Sequence, residues 1–147
     1  MSDPYIDLED LYEPIVSAFK DELQELGIFD KISEGEDLYT EGQTECWVVP
    51  GRDRIESAGM QMLRHYVELN VIIFNSAEDV KQPDLRAQGE QAYNKLMEDI
   101  THGGTCHWAF PTLFHPGYMQ VGGILTVGVL IQFTCHFEQF YNFPPPR

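Results

Sequence analysis

The chain has 147 residues and a mass of 16.9 kDa, a size that suits one ordinary hydrophobic core. It carries 24 Asp and Glu against 9 Lys and Arg, a net charge of −15, which disfavours nucleic-acid binding through a basic patch. The acids concentrate at the start, since residues 1–45 hold 14 of them. No apolar run reaches the roughly 18 residues of a membrane span, and no secretory signal is evident. We therefore expect a protein made in the cytoplasm, without a membrane role.

A helix is predicted over residues 4–26, because apolar residues recur there at spacings of three and four. Its apolar stripe consists of Leu8, Leu11, Ile15, Phe19, Leu23 and Leu26. Gly27 suits the C-terminal stop. Pro14 is expected either to kink the helix or to begin its more regular half.

The middle of the chain predicts mainly strands. Residues 28–45 read as a brief strand and a loop, and residues 46–49 as a short strand ended by Pro50 and Gly51. Residues 52–56 continue as a charged turn or strand. Residues 61–73 alternate apolar and polar side chains, which predicts a long amphipathic strand.

A second helix is predicted from Asp84, as its N-cap, to His102 and Gly103. Residues 105–122 suggest two short strands around a Pro- and Gly-containing loop that exposes Phe114 and Tyr118. Residues 123–140 form the last and longest predicted strand. One of its faces is expected to hold Leu125, Val127, Val129, Ile131, Phe133, Cys135 and Phe137, with Cys135 in the core among Val127, Val129, Ile131 and Phe133. Its opposite, outer face is expected to hold Thr126, Gly128, Leu130, Gln132, Thr134, His136 and Glu138.

These elements predict an α+β fold in which two helices pack on one face of a mainly antiparallel β-sheet with strands of mixed length, a two-layer sandwich. Residues 1–140 are expected to form this single domain. Residues 141–147 form a Pro-rich C-terminal tail that cannot join a sheet.

The sequence motifs do not indicate catalysis, a metal or a cofactor. Cys106-His107 and Cys135-His136 are adjacent pairs, and neighbouring residues of a strand point to opposite faces, so neither pair can easily hold one ion. The three cysteines are odd in number and far apart, which favours free core thiols over disulfides or a nucleophile. The glycines form no phosphate-binding motif. We therefore predict neither an enzyme nor a cofactor or metal site.

The two long strands leave a second sheet face to explain. That face is neither fully polar nor fully apolar, and the pattern alone is equally compatible with solvent exposure and with subunit contact.

The order of elements resembles the small tail-terminator and tail-completion proteins of long-tailed bacteriophages. The resemblance is carried by a helix (LEDLYEPIVSAFKDELQELG), a strand (RHYVELNVIIFN), a second helix (LRAQGEQAYNKLMEDI), an aromatic strand pair (CHWAFPTLFHPGYMQVGG) and a closing strand (ILTVGVLIQFTCHFEQF). It covers most of residues 4–140. It implies a non-enzymatic structural virion protein of the tail or neck.

The resemblance also implies the partners. Such proteins form a homo-oligomeric ring, typically a hexamer, that caps the tail tube, ends its polymerisation and joins it to a head–tail connector protein. DNA passes through the ring without specific binding, which a negative channel lining would favour. Two readings remain beside this one: another connector or tube protein of the neck, and an acidic DNA mimic that inhibits a DNA-binding enzyme. An enzyme of unknown type is a third.

Predicted interface residues fall in three groups. Charged or aromatic loop tips are natural docking points, and the outer face of a long strand offers a broad contact area. The residues are Glu78, Asp79 and Lys81 in a polar break, Phe114, His115 and Tyr118 in the aromatic loop, and Thr126, Gln132, Thr134 and His136 on the last strand.

Overall fold

A computed structural model describes residues 9–35, 42–59, 61–77, 79–121 and 123–140. The first turn of the predicted N-terminal helix, Glu78 and the Pro-rich tail lie outside these residues. The elements in chain order are α1 (Glu9–Glu25), β1 (Lys31–Ser33), β2 (Glu45–Ser57), β3 (Met62–Asn75), α2 (Gln82–Leu96), β4 (Trp108–Val121) and β5 (Ile124–Phe140).

The five described strands form one sheet in the order β1-β2-β3-β5-β4. β1 pairs with β2 in parallel, and the other three pairings are antiparallel. Both helices contact the same side of this sheet, which we call the helix face; the opposite side is the outer face. The predicted α+β class is thereby confirmed. Neither described helix is long and apolar enough to cross a bilayer.

Helix α1 packs on the sheet through the predicted stripe. Ile15, Phe19 and Leu23 are buried, while Leu11 and Leu26 are partly buried against the same core. Pro14 lies inside the helix, which therefore begins before it. Gly27 has a positive φ of 66°, and its amide donates to the carbonyl of Gln24, so the helix ends where the sequence predicts.

Strands β2 and β4 were each predicted as shorter pieces, and this was wrong. β2 continues through Pro50 and Gly51, with a bulge between Pro50 and Asp53, and β4 continues through Pro111 and Pro116, with a bulge after Pro111. β4 is an edge strand, and β1 pairs with β2 only at Glu45–Trp47. A proline without an N–H is tolerated there because the strand needs partners on one side only.

The N-cap of helix α2 lies three residues earlier than predicted. Lys81 is the N-cap, and Asp84 instead occupies the third helical position, where its carboxylate accepts the Lys81 N–H at 3.0 Å. The helix ends at Leu96, before the predicted end at His102. Gly89 lies against the sheet, and a Cβ there would come within 3.0 Å of Val129, so glycine permits this close approach.

The core lies between the helices and the helix face. Alternate residues of the two central strands enter it, as the sequence predicted. These are Val67, Leu69, Val71 and Ile73 from β3, and Val129, Ile131, Phe133, Cys135 and Phe137 from β5.

The turn after α2 is organised by Asp99. Its carboxylate accepts hydrogen bonds from the Gly103 amide at 2.9 Å and from the Thr101 amide and hydroxyl at 3.0 and 2.7 Å. These bonds, that of Gly103 first, lower the pKa of the Asp99 carboxyl to about 2. The turn holds His102 with a positive φ of 49° and its ring buried 4.2 Å from that of Phe19.

We expect the stability that Asp99 gives to this turn to be lost in acid. The pKa of Asp99 is lower in the folded state than the roughly 3.9 of an unfolded chain, so its stabilisation is present above about pH 4 and is lost as the pH falls towards 2. We expect Asp99→Asn to lower the urea midpoint at pH 5 and to differ less from the wild type near pH 2. Glu98→Gln, at the exposed neighbouring acid, is the control. An equal difference at both pH values would contradict this role.

Candidate interaction surface

Four side chains form a stacked row across the outer face. Arg54, Tyr66, His136 and Trp108 come from β2, β3, β5 and β4, and each is the direct cross-strand partner of the next. The Arg54 guanidinium lies 4.3 Å from the Tyr66 ring centre, the Tyr66 and His136 rings are 4.8 Å apart, and the His136 and Trp108 rings 5.1 Å apart. We call this the aromatic row. Cation–π and stacking contacts of this kind stabilise the sheet and leave a flat, rigid surface.

His136 belongs to this row and lies on the predicted face, but it is almost buried. It lies on the outer face as alternation requires, but it is only 8% exposed because Tyr66 and Trp108 flank its ring. Its Nδ1 lies 3.1 Å from the His65 carbonyl oxygen. His136 therefore supports the surface from within rather than presenting an imidazole to a partner.

Apolar side chains continue the aromatic row towards the edge of the sheet. Phe110 lies 5.4 Å from Trp108 and is 43% exposed, and Leu113 is equally exposed on the same face. Exposed large apolar side chains on a face that neither described helix covers are typical of a protein contact. The outer face is covered at its opposite end, where Trp47 packs on Phe74 at 4.9 Å and Gly35 lies over Trp47.

Polar groups occupy the middle of the outer face. The Gln132 amide nitrogen donates to Asn70 at 3.1 Å and approaches Glu68 at 3.4 Å. Thr134 lies beside a shallow depression of about 230 Å³ that is also lined by Arg52, Arg54, Tyr66 and Glu68. Gln132, Thr134 and His136 thus share one face, as predicted.

The other predicted residues lie elsewhere. Phe114 and Tyr118 project to the helix face of β4, whereas His115 is exposed on the outer face. Asp79 and Lys81 are exposed before α2, and Glu78 lies outside the described residues.

Two residues at the start of β5 lie on the predicted faces but differ in burial from what their faces suggest. Thr126 lies on the outer face and is only 1% exposed, and its hydroxyl donates to the Met119 carbonyl at 2.9 Å. Leu125 lies on the same face as the core residues of β5 and is 66% exposed, because the hairpin extends beyond the helices. Alternation gives the face of a residue but not where the covering layer ends.

Sequence reasoning missed Arg54, Trp108 and Phe110 as surface residues. Trp108 and Phe110 could have been found from their alternation at the start of β4, which places both rings on one face. The position of Arg54 could not be predicted, because it depends on the register of β2 across its bulge, which the sequence does not specify.

A buried Asp–His pair lies on the helix face. His65 is fully buried, with Nδ1 2.7 Å from the Asp53 carboxylate and Nε2 2.6 Å from the Gln139 amide oxygen. The Tyr12 hydroxyl also donates to Asp53. An Asp–His pair activates a nucleophile only if the second nitrogen faces one. Here that nitrogen faces an amide, so the arrangement links α1, β2, β3 and β5 structurally.

The cysteines are free and buried. Burial raises the pKa of Cys106 to about 12 and that of Cys46 and Cys135 above the ordinary range, so the thiols stay protonated. Cys135 enters the core while His136 faces outwards, as alternation predicts. Within the described ranges, no three His, Cys, Asp or Glu side chains are grouped to hold a metal ion.

No protein-family model matches the chain, and no curated protein resembles it significantly.

Proposed function

We propose that this chain is a structural virion protein, a phage tail terminator that assembles as a ring on the end of the tail tube, stops its polymerisation and joins it to the head. The observation that carries the proposal is the outer face. It presents a rigid aromatic row, continued by exposed Phe110 and Leu113, on a sheet whose two described helices lie on the other side. Such a face suits a stable contact between proteins.

The order of elements adds support, since the helix, long strand, helix and closing strand pair that resemble tail terminators all form. The edges of the sheet do not favour pairing with a strand of another subunit, so contact between subunits is expected through side chains. β4 carries Pro111 and Pro116, and the free part of β2 carries Pro50, Arg52 and Arg54. Prolines and charges oppose the addition of a strand from another chain. A ring of this protein is therefore held by side chains on its faces rather than by a continuous sheet.

Tube polymerisation tests the proposal. The tail tube protein encoded in the same genome is polymerised with and without this chain, and tube lengths are measured by negative-stain microscopy. We expect added chain to stop elongation and to form a visible cap at one end. Tubes that elongate unchanged and carry no cap would overturn the proposal.

Two matched variants test the surface. Phe110→Asp places a charge on the outer face and is expected to reduce capping at least tenfold, because burying an unpaired carboxylate is costly. Ile55→Asp is the control, since Ile55 is similarly exposed, at 47% against 43%, but lies on the helix face of β2. Both side chains are exposed, so both variants should fold. Equal capping by the two variants would show that the outer face is not the contact.

A further inference from the structure

The β4–β5 hairpin differs in charge from the rest of the chain. Residues 100–137 contain none of the 9 Lys and Arg or the 24 Asp and Glu. This segment includes all of β4 and most of β5. A surface without charges can be removed from water without leaving an ion unpaired.

The end of this hairpin extends beyond the helix layer. The Gln82 side chain, in the first turn of α2, donates to the Gly117 carbonyl at 2.7 Å, and both strands of the hairpin continue past this point. We call the described residues 118–121 and 123–125 the hairpin tip. Tyr118 and Leu125 are 69% and 66% exposed on its helix face, where α2 no longer covers them. They are among the most exposed large apolar side chains of the described residues.

A groove of matching character lies between α2 and β4. It has a volume of about 330 Å³ and is lined by Tyr93, Phe114 and Glu90. A space of this size can accept an aromatic side chain. Phe114 lies beside Gly89, whose missing Cβ leaves room for the ring. Among the described lining residues, Glu90 carries a charge and is exposed.

The tip of a chain cannot reach its own groove. Phe114 and Tyr118 lie on the same continuous strand and face, about 14 Å apart at 3.4 Å per residue. Tyr118 can therefore enter a groove of this kind only on another molecule. The uncharged tip suits it, because Tyr118 offers a ring for Tyr93 and Phe114 and a hydroxyl that can donate to Glu90.

We infer that the hairpin tip of one copy inserts Tyr118 into the α2–β4 groove of a second copy. This inference rests on the proposed ring and names its subunit contact. Tip and groove are different surfaces of one chain, so the contact is head-to-tail, which generates rings when the rotation closes. It leaves the outer face available for the tube.

Disulfide trapping tests this contact. Tyr118→Cys and Glu90→Cys are combined in the full chain, which is oxidised with copper phenanthroline in the presence of tail tubes and run on a non-reducing gel. The native thiols are buried, so the new pair should react selectively. We expect a ladder of covalent oligomers that ends at the ring size. The control combines Tyr118→Cys with Ile55→Cys, whose position is exposed but remote from the groove, and should give no ladder.

Charge exchange supplies a second readout. Tyr118→Asp places a carboxylate against Glu90 and should reduce assembly at least tenfold, and adding Glu90→Lys to it should restore assembly. A purely structural effect of Tyr118→Asp would not be rescued in this way. Failure of the rescue would overturn the inference.

The outcomes separate this inference from the proposed function. Tubes that are capped without a ladder above the control would overturn the tip contact and leave the function standing. A ladder without capping would support the contact and overturn the function. Binding of the tip to phosphatidylcholine vesicles without any ladder would assign the tip to a lipid surface and overturn the inference.

Discussion

Phe19→Ala is expected to lower the free energy of unfolding by about 3–5 kcal/mol. Phe19 is fully buried, with its ring 5.3 Å from that of Phe133 on β5 and 4.2 Å from that of His102. Its removal leaves a cavity where α1, the sheet and the turn after α2 meet. Urea denaturation followed by circular dichroism measures the loss.

Phe140→Ala is the matched control for this prediction. Phe140 is 70% exposed at the end of β5, so the same chemical change should alter stability by no more than about 0.5 kcal/mol. Similar losses for the two variants would contradict the burial that places Phe19 at the centre of the core.

His65→Ala is expected to have an effect of similar size, about 3–5 kcal/mol, for a different reason. The substitution takes the imidazole away from Asp53 and Gln139, so the Asp53 carboxylate, whose side chain is 10% exposed, remains buried without it. It also removes a ring stacked on Phe137 at 4.8 Å. Thermal and urea unfolding at pH 7 measure the change.

His107→Ala controls for the loss of an imidazole. His107 is 56% exposed and lies 4.0 Å from Glu138, so we expect a change within about 0.5 kcal/mol.

If the Asp53–His65 pair is the source of the effect, Asp53→Asn should be destabilising too, and the double variant should lose less stability than the sum of the two single variants. Full additivity would contradict a coupled pair.

Alternation predicted the two central strands because both pack helices on one side only. The apolar set of β3 and β5 therefore repeats every second residue, and residues such as Val67 and Ile131 lie where the pattern places them. The stripe of α1 followed equally from its spacing. These elements depend on one strong local signal, the period of burial.

The edge strands could not be predicted in the same way. Pro50, Pro111 and Pro116 are ordinary signs of a strand end. They are tolerated because β4 is an edge strand and because β1 pairs with β2 only as far as Trp47. That position is set by topology, which no local stretch of sequence specifies. The cap of α2 was misassigned for a related reason, since Asp84 accepts a hydrogen bond equally well from the third helical position.

The candidate surface was partly predictable. Alternation placed Gln132, Thr134 and His136 on one face, but the aromatic row depends on the register of four strands. The absence of Lys, Arg, Asp and Glu over residues 100–137 is visible in the sequence. Which of these residues are exposed depends on how far α2 extends along the hairpin, and only the structure gives that extent.

The acidic first third of the chain favours an alternative function, since clustered acids also suit a DNA mimic. A mimic acts as a monomer or dimer and inhibits a DNA-binding enzyme, whereas a terminator acts as a ring. The ratio of the assembled mass to the chain mass separates them.

The most direct measurement is therefore the mass of the protein bound to the ends of tail tubes, determined by mass photometry of released caps and by microscopy of the tube ends. We expect a closed ring whose mass is a whole multiple of 16.9 kDa, typically six chains. A protein that stays monomeric on the tubes, or that ignores them and inhibits a nuclease instead, would contradict it.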